Sequence, residues 1–155
     1  MINKDEKVIK EFGDEWTKFD HSNLDKAKLK ESFNQYFSIF PWEKLRKDAI
    51  GFDMGCGTGR WAQFAATNTK VKSLNCIEPS EAIHVAEKNL INHKNIKFLK
   101  ETTENCSLSP NSQDFGYCLG VLHHIPDTQR ALNDCIKLLN QFIYFQALNH
   151  LFQYK

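Results

Sequence analysis

Short apolar runs alternate with helical patterns from residue 47 to the end of the chain. The runs that suit strands cover residues 49–54, 73–77, 95–99, 113–121 and 142–146. Helical periodicity lies between them, over residues 60–66, 81–90 and 129–139. Strands that alternate with helices favour a parallel sheet with right-handed crossovers. The pattern therefore predicts an α/β fold with a doubly wound, mainly parallel sheet.

The first 46 residues are polar, helical in pattern and rich in aromatic side chains. Phe12, Trp16 and Phe19 stand at helical spacing and share one face. This face either docks the segment onto the core, or covers a bound ligand and excludes water, and the two roles are compatible. We therefore divide the chain into a helical lid segment, residues 1–46, and a ligand-binding domain, residues 47–155.

The first predicted strand runs into a glycine-rich stretch. Asp53 is followed by Gly55, Gly57 and Gly59 at every second position, and Cys56 lies among them. Glycine lacks a Cβ atom, so the backbone can turn sharply there and approach a ligand closely. A helix predicted to follow would direct its N-terminal N–H groups at that ligand. The stretch predicts a nucleotide-type binding loop.

The spacing of the glycines argues against a dinucleotide. The dinucleotide pattern G-x-G-x-x-G requires a third glycine where this chain has Arg60. Glu78 ends the second strand, 19 positions after Gly59, and the ends of parallel strands meet where ligands bind. A carboxylate there can accept hydrogen bonds from both hydroxyl groups of a ribose. The alternative role of Glu78 is a solvated charge that opens the next helix.

Three segments resemble motifs of the class I S-adenosylmethionine-dependent methyltransferases. Residues 53–59 are similar to motif I, and residues 76–80, Cys-Ile-Glu-Pro-Ser, to motif II. Residues 114–127, which contain Leu-His-His and then a proline, resemble the fourth strand and following loop of the type 11 group. The resemblance implies a Rossmann-like methyltransferase sheet, S-adenosylmethionine as cofactor and methyl transfer as the reaction. The cofactor-binding residues that it implies are Asp53, Gly55, Cys56, Gly57, Gly59, Glu78, Pro79, Thr102, Thr103 and Gly120.

The chain departs from that family in two places. Many members have an aspartate after the third strand that binds the adenine amino group, whereas Thr102 stands at the matching position, followed by Thr103. The family's sheet also continues through a longer turn into a fifth strand and a final hairpin, but here the chain ends at Lys155. We therefore expect a C-terminally truncated domain. Its fifth strand, residues 142–146, would be an exposed apolar edge and a site for self-association.

Two histidines follow the fourth strand, close to the expected methyl group. An imidazole that titrates near neutral pH suits a general base, and His123 is the candidate catalytic residue, with His124 the weaker one. In this family the pair can instead be structural. No metal site is expected from Cys118 and the two histidines, because the sequence places no fourth ligand.

The acceptor is expected to be a small molecule. No Asn-Pro-Pro-Tyr-like run follows the fourth strand, which argues against methylation of a base or amide nitrogen. Two alternatives stay open from the sequence. One is an S-adenosylmethionine-binding fragment without turnover, and the other is a dinucleotide-dependent oxidoreductase.

The net charge, the N-terminal sequence and the cysteines limit which binding partners and which cellular location are expected. The 155 residues carry a formal net charge of +1, too close to neutral to predict binding to nucleic acid or to a membrane surface. The N-terminus is charged and lacks the apolar run of a signal peptide. The five cysteines are scattered and odd in number, which indicates reduced thiols. We expect a cytoplasmic protein.

Overall fold

A computed structural model describes residues 3–19 and 25–148 of the chain. Its strands form one sheet in the order β3-β2-β1-β4-β5, and every neighbouring pair is parallel. The strands are β1 (Ala49–Met54), β2 (Val71–Ile77), β3 (Ile96–Leu99), β4 (Gln113–Leu119) and β5 (Leu139–Leu148). The α/β class and the parallel sheet are confirmed. The strand order reverses between β1 and β4, and ligands bind at the carboxyl ends of strands beside such a point.

Two helices precede the sheet and three connect its strands. Asp5 caps the first helix by accepting from two backbone N–H groups, and Asp127 caps the last by accepting from one. Short 3₁₀ turns lie at Trp42–Lys44 and Leu122–His124. The helices are α1 (Glu6–Lys18), α2 (Lys26–Tyr36), α3 (Ala62–Ala65), α4 (Ala82–Asn89) and α5 (Thr128–Leu138).

The prediction of a helix over residues 60–66 is wrong in its length, because α3 has only four residues, Ala62–Ala65. The Trp61 carbonyl accepts from the Phe64 N–H at 3.1 Å, which is a 3₁₀-type bond at the start of the helix. At the other end, the Thr67 hydroxyl donates to the Phe64 carbonyl. A single helical turn aligns few peptide dipoles. The expectation that a helix N-terminus faces the ligand is therefore not supported here.

Apolar layers cover both faces of the sheet. On one face, α2 and the turn after it bury Phe33, Phe37 and Phe40, none more than 8% exposed. On the other face, α5 buries Cys135 and Leu138 against the sheet. The N-terminal segment is therefore docked onto the core through α2 and the turn after it.

Two glycines allow an aromatic ring to lie across the central strands on each face. Gly51 pairs with Phe115, and a Cβ atom on Gly51 would lie 2.3 Å from that ring. Gly116 pairs with Phe52, and a Cβ atom on Gly116 would lie 2.3 Å from the Phe52 ring. The rings occupy the space of the missing side chains and so favour one register between β1 and β4.

The fifth strand begins at Leu139, directly after α5 and three residues earlier than predicted. At this end of the sheet the buried Asp114 carboxylate accepts from Asn140 Nδ2 at 2.6 Å, from the Ile50 N–H at 2.8 Å and from Arg46 Nε at 2.7 Å. One carboxylate thus ties β1, β4 and β5 together. Among the described residues, no strand lies on the far side of β5.

Candidate functional site

A cavity of about 150 Å³ lies at the carboxyl ends of β1, β2, β3 and β4, and α1 forms one of its walls. Most of the residues predicted for the site line this cavity: Gly55, Cys56, Gly57, Glu78, Pro79, Thr102, Thr103 and Gly120. Asp53, Gly59 and His123 are not among the described residues that line it. Residues from four separate strand ends therefore meet as the sheet topology predicts.

The glycines after β1 have two different roles. Gly55, Gly57 and Gly59 have φ angles of 76°, 54° and 78°, in the left-handed region that residues with a Cβ atom avoid. A Cβ atom on Gly55 would lie 2.3 Å from Val121 Cγ2, so the loop packs tightly against the segment after β4. On Gly59 it would lie 2.5 Å from Leu90 Cδ1. Gly59 therefore packs the loop onto the end of α4, while Gly55 and Gly57 border the cavity.

Glu78 joins the end of β2 to the glycine loop. Its Oε2 accepts from the Gly57 N–H at 3.1 Å, and its Oε1 accepts from the Ser80 N–H at 3.0 Å and the Ser80 hydroxyl at 2.6 Å. The residue is 8% exposed, so the alternative of a solvated helix-opening charge is wrong. A carboxylate has about four acceptor positions. Glu78 can therefore hold the loop and still accept a bond from a ligand.

The two threonines after β3 differ in what they offer a ligand. Thr103 is 7% exposed, and its Oγ1 has no hydrogen-bond partner among the described residues. Thr102 Oγ1 accepts from the Asn105 N–H at 3.3 Å. A buried polar atom without a partner is destabilising. The Thr103 hydroxyl, for which the sequence suggested no side-chain role, is thus suited to a ligand contact.

Asp53 lies at the end of β1, beside Tyr117 of β4, and is 2% exposed. Burial raises the pKa of Asp53 from 3.8 to about 8, while the nearby Tyr117 hydroxyl and the charge of Arg60 oppose the increase. Asp53 Oδ2 and the Tyr117 hydroxyl have no hydrogen-bond partner among the described residues. Asp53 is not among the described residues that line the cavity, so its predicted contact with the cofactor stays a prediction.

Of the two histidines after β4, His124 borders the cavity and His123 is exposed. His124 Nε2 is buried without a hydrogen-bond partner in the described part of the chain. The ring packs edge-on against Phe12 of α1, with the ring centroids 4.7 Å apart. Burial and the neighbouring His123 lower the pKa of His124 from its usual 6.5. His124 is therefore neutral at pH 7 and able to accept a proton.

The first helix covers the cavity with its apolar face. A Cβ atom on Gly13 would lie 3.0 Å from Ser80 Cβ, so this glycine lets α1 lie close to the start of α4. Phe19 was predicted on the same face, but α1 ends at Lys18 and Phe19 is 65% exposed. The residues of α1 that line the cavity are Val8, Ile9, Phe12 and Trp16.

Asn3 joins the segment before α1 to Asp127, the capping residue of α5, through hydrogen bonds. Its Nδ2 donates to the Asp127 carbonyl at 2.9 Å, and its Oδ1 accepts from the Asp127 N–H at 2.8 Å. Its own N–H donates to Glu104 Oε2 at 2.7 Å. Asn3 is 4% exposed and lines the cavity. No sequence signal indicated this role, because the paired residues are 124 positions apart.

Within residues 3–19 and 25–148, no three His, Cys, Asp or Glu side chains are grouped so that they could hold a metal ion. None of the helices described there has the length and apolar character needed to cross a membrane.

Solved structures with the same fold include enzymes of more than one kind. The chain is similar to a SAM-dependent methyltransferase from Aquifex aeolicus, with 20% identity, a TM-score of 0.60, and coverage of 79% of this chain and 71% of that one. A Haloferax volcanii protein, described as a methyltransferase in complex with the Trm112 activator, is 14% identical to this chain. That match covers 85% of this chain and 56% of the other, with a TM-score of 0.69. The [4+2]-cyclase SpnF is 17% identical to this chain. That match covers 73% of this chain and 40% of the cyclase, with a TM-score of 0.59. These likenesses show the fold, and the chain spans only part of each relative.

The family assignment rests on the sequence match. A search of curated proteins finds no match. Residues 52–142, however, match the family model of the type 11 methyltransferase domain. This range contains the glycine loop, Glu78 and the histidine pair, and so most of the cavity wall outside α1. The chain belongs to this family of S-adenosylmethionine-dependent methyltransferases.

Proposed function

We propose that the chain transfers a methyl group from S-adenosylmethionine to a small-molecule acceptor. The observation that carries the proposal is that Gly55, Gly57, Glu78 and Thr103 converge on one cavity beneath α1. S-adenosylmethionine supplies the methyl group. The chain's residues bind the two substrates, orient them for in-line transfer and exclude water.

The adenosine half of this cofactor would lie beside β2 and β3, where Glu78 and Thr103 line the cavity. Glu78 would accept hydrogen bonds from the ribose hydroxyls, and the unpartnered Thr103 Oγ1 would bind the adenine. Gly57 has no side chain to occupy the space between the loop and Trp16. A Cβ atom on Gly120 would meet nothing within 4 Å, so the cavity is open on that side as well.

Within the N-terminal segment, residues 1–46, we assign the role of lid to α1 and the role of support to α2. Phe12 and Trp16 place apolar rings over the cavity, and such a cover would exclude water from the reaction. The paired hydrogen bonds of Asn3 hold this cover in place. Entry of the cofactor would then require α1 to move away.

We assign the general base to His124 rather than to His123. Replacing His124 by Gln should lower the rate of methyl transfer by about 10²–10⁴ for an acceptor that must lose a proton. Replacing the exposed His123 by Gln should leave the rate nearly unchanged, which makes it the matched control. The measurement is transfer of a labelled methyl group from S-adenosylmethionine to a panel of phenol, thiol and amine acceptors.

The same assay separates the proposal from its alternatives, provided that unfolding curves show all variants to be folded. Equal losses in the two variants would mean that the histidine pair is structural. Binding of S-adenosylhomocysteine by the wild type with no transfer to any acceptor would favour a binding protein without turnover. The cyclase among the similar folds shows that this architecture alone does not determine the reaction.

The outer position of β5 supports a further proposal, that copies of the chain associate through this strand. Tyr144 and Phe145 are only partly buried on it, and among the described residues no strand covers its outer edge. An uncovered edge offers N–H and C=O groups to a second chain.

A further inference from the structure

Phe12, in the middle of α1, brings the covering helix into contact with His124. The two rings meet edge-on, with their centroids 4.7 Å apart and their planes at 61°. Both residues are half-buried and line the cavity. The contact joins α1, near the start of the chain, to the 3₁₀ turn that follows β4. The position of α1 therefore affects the surroundings of the proposed base directly.

Ring packing, rather than a hydrogen bond to Nε2, orients the His124 side chain. An imidazole that acts on a ligand is usually fixed by a hydrogen bond to one ring nitrogen. His124 Nε2 is buried and has no such partner among the described residues. Two rings contact the imidazole, Phe12 and the adjacent His123, whose centroid lies 3.8 Å away. His123 is exposed and belongs to the same turn, so Phe12 is the ring that restrains His124 from a separate element.

The part of α1 that faces the cavity is apolar. Its lining residues are Val8, Ile9, Phe12 and Trp16, and none of them is charged. After burial, the neighbour that lowers the pKa of His124 is His123. The charged residues elsewhere in the lining are engaged within the protein: Lys4 with Glu6, Asp5 with the first turn of α1, Glu78 with Gly57, Glu101 with Ser107, and Arg60 with the rings of Trp16 and Trp61.

An apolar cover favours the neutral form of an imidazole. A charged imidazolium loses much of its hydration when it is buried against aliphatic and aromatic groups, and the neutral ring loses far less. The pKa of His124 is accordingly lowered from 6.5. Such coupling is reciprocal, so a protonated His124 in turn opposes the closed position of α1. The closed helix therefore accompanies an imidazole that is ready to accept a proton.

We propose that Phe12 is a positioning residue for the base, and that it holds the His124 ring in its working orientation only while α1 covers the cavity. The inference rests on the proposed function, because it assigns the base to His124. It goes beyond a cover that excludes water, since the closing of α1 also prepares the group that takes the proton of the acceptor. The contact between the two rings can be tested without any turnover.

The first test is an NMR titration of the His124 imidazole without ligand, its signal being the one that is missing from His124→Gln. The midpoint should lie below 6.5 in the wild type. It should rise toward 6.5 in Phe12→Ala, which removes the ring, and less in Phe12→Leu, which keeps an apolar cover. Phe19→Ala is the matched control, because Phe19 is 65% exposed at the end of α1, and it should leave the midpoint unchanged. The same midpoint in Phe12→Ala as in the wild type would overturn the proposal.

The second test measures methyl transfer in a double-mutant cycle of Phe12→Leu and His124→Gln. Phe12→Leu alone should lower kcat by about tenfold to 100-fold, because the base is misplaced, with KM for S-adenosylmethionine nearly unchanged. The acidic limb of its pH–rate profile should move to higher pH. In the His124→Gln background the same change should cost little more, because no base is left to position. Equal losses in both backgrounds would mean that Phe12 only covers the cavity, which overturns the positioning role.

Unfolding curves show whether each variant is folded, and Phe12→Leu serves in both tests if Phe12→Ala does not fold. Absence of transfer by the wild type is a separate result. It would contradict the proposed function and, with it, the role of His124 as a base. The NMR titration would still show whether α1 acts on the His124 ring through Phe12.

Discussion

Replacing Gly55 by alanine should destabilise the chain by about 2–4 kcal/mol, because backbone strain and a steric clash both contribute. The φ angle of 76° places Gly55 in the left-handed region. The new Cβ atom would also lie 2.3 Å from Val121 Cγ2 and 3.1 Å from Val121 Cβ. A valine has a stiff side chain, so the segment after β4 would have to shift. Urea unfolding of the two proteins measures the difference.

Gly57 provides the matched control for this change. Its φ angle is also positive, at 54°, but the nearest atoms to an added Cβ lie 3.9 Å away, in Trp16. Gly57→Ala should therefore cost only about 1 kcal/mol, the backbone part alone. Adding Val121→Ala to Gly55→Ala should recover part of its loss. Equal destabilisation by Gly55→Ala and Gly57→Ala would contradict the steric contact with Val121.

Replacing Asp53 by asparagine should remove a strong dependence of stability on pH. Burial raises the pKa of Asp53 to about 8 from 3.8. A carboxyl group with a raised folded pKa stabilises the fold fully below its unfolded pKa, and this contribution is lost as pH rises through the folded value. Between pH 4 and 8 the wild type should therefore lose about 1.4 kcal/mol per pH unit relative to Asp53→Asn.

The measurement is urea unfolding of both proteins without ligand at several pH values from 5 to 9. The histidines titrate in the same range, but they are common to both proteins, so the difference between the two free energies of unfolding isolates Asp53. The asparagine variant should be the more stable of the two at pH 8 and above. Parallel profiles would show that Asp53 is ionised in the folded chain throughout this range.

Strands and the strand-end site were predictable because they depend on local pattern and topology. Alternating apolar runs marked β1 to β5, and a parallel sheet brings the ends of its strands to one edge. That is why Gly55, Gly57 and Glu78 could be expected at one edge of the sheet, whereas Thr103 was implied only by the family resemblance. The predicted bounds of α3 were wrong, because a backbone hydrogen bond of the 3₁₀ type begins this short helix.

Contacts between distant segments were not predictable from one sequence. Gly59 looked equivalent to its neighbours, but its space is taken by Leu90. The sequence offered two adjacent histidines, and only the 3₁₀ turn and the position of α1 distinguish His124 from His123. Arg60 was noted only as a missing glycine, since its tryptophan partner in α1 lies 44 positions earlier.

The direct test of the central claim is calorimetric titration of the chain with S-adenosylhomocysteine and, separately, with NAD. The wild type should bind S-adenosylhomocysteine and not NAD. Glu78→Ala should weaken this binding by about 2–4 kcal/mol, through the loss of charged hydrogen bonds to the ribose. Ser80→Ala removes a hydrogen bond to Glu78 Oε1 outside the cavity and should cost much less affinity. Tight binding of NAD with no response to S-adenosylhomocysteine would contradict the account, and an unchanged affinity in Glu78→Ala would remove Glu78 from the site.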